Sequence, residues 1–186
     1  MPAASCAAWR LPPGIELRPI GDADLPFLSD LYASTRWEEL APVPWSEAQK
    51  REFLHQQHTL QHRHYQTYYA DAEFLLLACD GAAIGRIYVH RSPAEICLID
   101  IALLPTRRRR GLGAALIAEL VAEADAAGLP VTLHVERDNP AQRLYARHRF
   151  RLEEEGAVYQ KLRRDPRPSV HDQLEVGEST GQPPRT

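Results

Sequence analysis

A chain of 186 residues, 44% hydrophobic and 25% charged, has the size and composition of one globular domain with a sizeable core. Its formal net charge of -3 gives the molecule no overall pull toward polyanions, so it argues against a nucleic-acid or membrane-surface binder and leaves any anion site to local arginines. Cys6, Cys79 and Cys97 are widely spaced with no CxxC pair, which excludes a disulfide framework and a cysteine zinc site and suits a reducing cytoplasm.

The opening MPAASCAAWRLPPG lacks the basic and apolar regions of a signal peptide and reads as an irregular lead-in over 1–14. IELRPI (15–20) alternates like a strand, and Gly21-Asp22 then offers a cap before the helical spacing of DADLPFLSDLYAST. Ser46 opens a second helix that runs through the sixties. EFLLLACDGAAIGRIYVHR (73–91) reads as a hairpin turning at Asp80-Gly81; its apolar run FLLLAC is far too short to span a bilayer. ICLIDIALL (96–104) is a nearly all-apolar run, the pattern of a strand buried on both faces. GAALIAELVAEADAAG (113–128) is an amphipathic helix stopped by Gly128 and Pro130. VTLHVER (131–137) is a strand, PAQRLYARH (140–148) a short helix with Asn139 at its start, and FRLEEEGAVYQKL a closing hairpin. The order is β-α-α-β-β-β-α-β-α-β-β, an α/β domain over 15–163. From 164 to 186 large apolar residues nearly vanish, the composition of a disordered tail.

The run Arg107-Arg108-Arg109-Arg110-Gly111-Leu112-Gly113 lies between an apolar strand and a helix. Glycines there let the backbone approach a ligand, and the N–H groups and positive end of the following helix favour a phosphate. Ala114-Ala115 stands where a Walker loop needs Lys and Ser or Thr, and no GxGxxG follows the first strand, so this is a phosphate cradle of another kind.

IDIALLPTRRRRGLGAALIAEL resembles motif A of the GNAT superfamily of acyl-CoA-dependent N-acyltransferases, with Arg108, Gly111 and Gly113 matching its Arg/Gln-x-x-Gly-x-Gly/Ala signature. LHVERDNPAQRLYARHRF resembles the next motif, and EFLHQQHTLQHRHYQTYYADAEF is similar to a bacterial branch of the superfamily. The resemblance implies a mixed central sheet of about seven strands flanked by about four helices. It implies acetyl-CoA as co-substrate, no metal, and a small-molecule or peptide amine as acceptor. It further implies that the backbone at Leu103, after a bulge in its strand, pairs with the pantetheine arm, and that the backbone amides from Arg108 through Arg109, Arg110, Gly111, Leu112 and Gly113 to Ala114 hold the pyrophosphate. Asn139 would bond the pantetheine or the neighbouring backbone, and Tyr145 would protonate the leaving thiolate. A non-catalytic acyl-CoA-binding or sensing module on the same fold is the rival reading.

For the base that takes the acceptor's proton, His134 is the candidate whose ordinary pKa suits neutral pH, with Glu136 on its strand face and Asp100 as further candidates. Each also fits an ordinary strand residue. His55, His58, His62, Tyr65 and Tyr69 recur along one helical face, either lining an acceptor pocket or packing. Trp37, Glu38, Glu39 and Trp45 could recognise a cationic amine or belong to a solvated loop. Cys97 lies on the buried strand and reads as core.

Overall fold

The computed structural model describes Cys6 and residues 9–167. The elements run β1 (Ile15–Pro19), α1 (Leu25–Arg36), α2 (Glu47–Tyr68), β2 (Glu73–Cys79), β3 (Ala82–Arg91), β4 (Ile96–Leu103), α3 (Leu112–Ala127), β5 (Val131–Glu136), α4 (Gln142–Arg147), β6 (Arg151–Glu155) and β7 (Tyr159–Arg164). This is the order expected from the periodicity, and the local chemistry explains it. Ser46 caps α2 by accepting from the Gln49 N–H while Gln49 Oε1 accepts from the Ser46 N–H. Gly128 ends α3 in the left-handed region at φ 67°. Asp80 (φ 51°) and Gly81 (φ 79°) make the tight turn between β2 and β3.

The strands form one mixed sheet in the order β1-β2-β3-β4-β5-β7-β6. Every neighbouring pair is antiparallel except β4 and β5, which run parallel through the α3 crossover. Alternation along β3 sorts the helices. Ile87 and Val89 join the apolar cluster of Leu116, Ile117 and Leu120 from α3, whereas Tyr88 between them meets Tyr65 of α2 edge-on. So α2 and α3 cover opposite faces. Leu116, Ile117 and Leu120 are fully buried at this cluster, each Å² of apolar surface removed from water contributing roughly 25 cal/mol.

The ends of the domain are tied to α3. Cys6 is buried, and Trp9 Nε1 donates to Glu123 at 2.9 Å. β7 continues through Arg164, the first residue of the expected tail, whose buried guanidinium grips Asp125 with two hydrogen bonds of 2.8 and 2.7 Å. The rest of that tail from 168 lies outside the described residues, as do residues 1–5, 7 and 8 of the lead-in. No helix among the described residues is long and apolar enough to cross a membrane.

Candidate active site

The site begins with a fault in the sheet. β4 and β5 pair only over Ile96–Leu98 and Val131–Leu133. At Ile99 the β3–β4 register slips: Val89 faces Leu98, but Tyr88 faces Asp100, so Ile99 is the extra residue of a bulge. A bulge bends its strand and re-aims the side chains after it. Beyond it β4 turns away from β5, and a cleft of about 140 Å³ opens between them. The expected burial of 96–104 on both faces therefore breaks at the bulge; Ile99, Asp100 and Ile101 are half-exposed on the cleft wall.

The bulge decides where Asp100 points. It shares the Tyr88 face, toward α2, and its carboxylate meets the buried guanidinium of Arg86 (Nη2 to Oδ2, 2.6 Å). Arg86 Nη2 also donates to Gln61 Oε1 at 3.0 Å, and the Arg86 guanidinium carbon lies 5.2 Å from the Tyr88 ring centre. Across the gap, Thr132, His134 and Glu136 alternate with the core residues Val131, Leu133 and Val135. His134 is exposed and Glu136 half-buried, both lining the cleft. The Arg36 guanidinium at the end of α1 straps across to Glu136 Oε1 at 2.5 Å and is held from behind by Glu39.

Asn139 and Tyr145 also line the cleft, and Tyr145 joins the core cluster that holds the α3 side chains. Asn139 Oδ1 accepts from the Ala141 N–H at 2.9 Å, which fixes the turn into α4 at the edge of the cleft. Tyr145 is 5% exposed and packs edge-on to Phe150, with ring centres 5.7 Å apart. Burial, and then the Asp100 carboxylate, push its phenol above the usual tyrosine range, so it stays protonated.

The arginine-glycine turn sits at the head of α3. Arg109 (φ 57°) and Gly111 (φ 83°) are both left-handed, a path glycine follows without penalty. From Arg109 to Ala114, through Arg110, Leu112 and Gly113, the backbone N–H groups find no acceptor among the described residues. These donors, with the positive end of α3, suit the oxygens of a phosphate. A Cβ at Gly113 would meet only Leu144 Cδ2 at 3.6 Å, which places the turn beside α4 and one residue from Tyr145. Arg109 and Arg110 are exposed, whereas Arg108 folds back, its Nε donating to the Leu103 carbonyl at 2.9 Å. That carbonyl, part of the backbone expected to pair with pantetheine, thus already has a partner.

The structure divides the helical stripe of α2. Tyr65 lines the cleft, with Gln61 beside it. His58 is buried and His62 half-buried, with ring centres 5.9 Å apart, and His55 lies at the surface 3.6 Å from Asp30. Burial, with Arg86 nearby, lowers His58 to about 4 and lowers His62 as well, so both are neutral at pH 7. Trp37 takes the Arg51 guanidinium on its ring and Trp45 packs on Phe53; neither lines the cleft, and Glu39 reaches it only through Arg36. Among the described residues no group of three His, Cys, Asp or Glu side chains comes together as a metal would require.

The motifs mark none of Arg36, Arg86 and Tyr159, yet Arg86 carries a signal. Arg86 and Asp100 are the lone charges inside neighbouring apolar runs, and burying one demands the other.

A mixed sheet parted between its one parallel pair, with helices on both faces and a helix N-terminus at the gap, is the architecture of a ligand-binding α/β domain. The family follows from comparison: residues 32–150 match the model of the acetyltransferase (GNAT) family, and the chain belongs to it. No curated protein matches the sequence. Among solved structures, the chain is similar to the PaiA N-acetyltransferase of Thermoplasma acidophilum in complex with coenzyme A, at 20% identity over 81% of this chain and 98% of that one, TM-score 0.59. It is also similar to PH1933 of Pyrococcus horikoshii OT3 (14% identity, 83% and 99% covered, TM-score 0.62). A third is the acetyl transferase of Salmonella typhimurium that modifies the N-terminal serine of 50S ribosomal subunit protein L7/L12 (16% identity, 83% and 96% covered, TM-score 0.57). At such identities the likeness is one of fold.

Proposed function

We propose that the protein is an N-acyltransferase that moves an acetyl or similar acyl group from acyl-CoA to a primary amine, on a small molecule or peptide, with both bound at once. One observation carries this reading: a fan of unpartnered backbone N–H groups, Arg109 to Ala114, lies beside a cleft walled from both faces of the sheet. A pyrophosphate held at that fan would put the arm of the cofactor along the parted edge of β4, past Leu103, toward Asn139 and Tyr145. The acceptor then has the opposite face, under α2, for its approach. Two substrates reaching one gap from two sides suit direct transfer rather than a covalent relay. The cysteines agree: Cys97 is buried on β4 and its thiol is pushed up by that burial, the reverse of an activated nucleophile.

The bound thioester supplies an activated acyl carbon. The protein's part is to position it and to handle protons. His134, exposed on the β5 wall, would take the proton from the acceptor nitrogen, directly or through a water. Tyr145 would hold a proton at Oη for the sulfur that departs. Its raised pKa keeps that proton in place but makes full transfer reluctant, so the hydroxyl acts mainly by a hydrogen bond that strengthens as charge builds on sulfur.

The test is thermal protection by CoA alone, followed by mass-spectrometric detection of acetyl transfer from acetyl-CoA to pooled amines. Protection and turnover together are expected; absence of protection overturns the reading.

A further inference from the structure

Resting on that reading, we infer that the acceptor is a primary amine with no carboxylate beside it, bound as an ammonium between Asp100 and Glu136. These two carboxylates stand on the facing walls where β4 and β5 part, and both line the cleft. Each is braced by a guanidinium that has a further partner. Arg86 holds Asp100 and is itself engaged by Gln61. Arg36 holds Glu136 through Nη2, while its Nη1 is taken by both oxygens of Glu39, at 3.0 and 3.3 Å.

The bracing has two consequences. It keeps the carboxylates aimed, so an arriving ammonium meets oriented acceptors without reorganisation. It also leaves no unpaired guanidinium lining the cleft, among the described residues, for a carboxylate on the acceptor. Arg36 is the one cation that lines the cleft among the described residues. Lys161, opposite His134 in the β5–β7 register, is occupied by Glu153 at 2.8 Å. Two guanidiniums face three carboxylates here (Asp100, Glu136 and Glu39), so the local balance is negative. A zwitterionic amino acid would have to displace one carboxylate from Arg36 and lie beside the other, a like-charge contact in a half-buried cleft.

The remaining walls fit an uncharged body behind the ammonium. Tyr65 from α2 and Tyr159 from β7 offer aromatic surface, and burial together with Asp100 keeps the Tyr65 phenol neutral. A tyrosine face is favourable to a cation and to the methylenes next to it. A peptide N-terminus, an alkylamine or an aralkylamine meets these conditions; a free α-amino acid does not.

Matched pairs that differ by the carboxylate test this: tyramine against tyrosine, and alaninamide against alanine. The kcat/KM for the carboxylate-free member should exceed that of its partner by on the order of tenfold or more. Glu136→Gln should raise KM for the amine and narrow the gap, because it releases one side of Arg36 for a substrate carboxylate. Equal use of both members, or a ratio unmoved by Glu136→Gln, overturns the inference. If no amine, pooled or paired, turns over while CoA still protects the protein, the transfer reading fails. The inference is then decided by titrating tyramine and tyrosine into the CoA-loaded protein: tyramine alone should bind, and equal binding overturns it.

Discussion

Tyr145 shows how much one side chain's surroundings add to its identity. A tyrosine on a short helix is ordinarily half-exposed packing, and only the motif around it marked it as a candidate proton donor. The structure buries it at the cleft wall and gives the ring an edge-on neighbour in Phe150, so removing the hydroxyl leaves the packing intact. Tyr145→Phe should lower kcat by about 10²-fold, near the lower limit of general acid catalysis and near the loss of a hydrogen bond to a charged group, about 1.5–3 kcal/mol. KM for acetyl-CoA should barely move, since the ground-state sulfur carries no charge to be met. Steady-state kinetics beside a CoA titration checks both halves. A normal kcat would leave Tyr145 a packing residue, and a weakened CoA affinity at normal kcat would make it a binding one.

Among the elements, the N-terminus of α3 answers to the same kind of separation between folding and binding. Gly113 has ordinary helical geometry with room for a side chain, and lies in the first turn, where a carboxylate favours the helix dipole. Gly113→Asp should therefore leave the apoprotein's Tm unchanged or slightly raised while abolishing protection by CoA, because its charge sits where a pyrophosphate is expected. Gly111→Ala should behave oppositely: the added methyl meets nothing within 4 Å, so binding persists, but the left-handed φ costs roughly 1–2 kcal/mol of stability. Differential scanning fluorimetry with and without CoA reads both. Element order was legible because each run carries its own period and its own stops, as with Ser46 before α2 and Gly128 after α3. The parting of β4 and β5 was legible only through the resemblance, which implies a bulge before Leu103 without placing it. The parting depends on a register slip at Ile99, and nothing in ICLIDIALL distinguishes the residue that bulges from its apolar neighbours. Because side chains alternate with period two, that single slip moves Asp100 off the face of Ile96 and Leu98 and onto that of Tyr88. The main carboxylate of the β4 wall was therefore visible as a residue but not as a position.

For the whole molecule, the polar layer between α2 and the sheet ties stability to pH. His58 is 4% exposed with its Nε2 unpartnered, and Arg86 lies close enough to oppose its protonation. An imidazole so placed titrates near 4 when folded and near 6.5 when unfolded. Between those values the unfolded chain binds the extra proton, so stability rises with pH there and is lost as pH falls from about 6.5 toward about 4. His62, shifted in the same direction, adds to the same slope. Acid pairs act alongside: Asp24, held to about 2 first by Arg18 and then by the Gly21 N–H, gives up its contribution only below its ordinary pKa of 3.8. The two groups therefore separate on the pH axis. A Tm profile should fall in two stages, the first between pH 6.5 and 4 and the second below it. His58→Gln places a side chain there that does not titrate, so it should flatten the upper stage and leave the lower one. Asp24→Asn should do the reverse. An upper stage undiminished in His58→Gln would mean that the buried histidine takes its proton without resistance, and that the charge of Arg86 is not felt beneath α2.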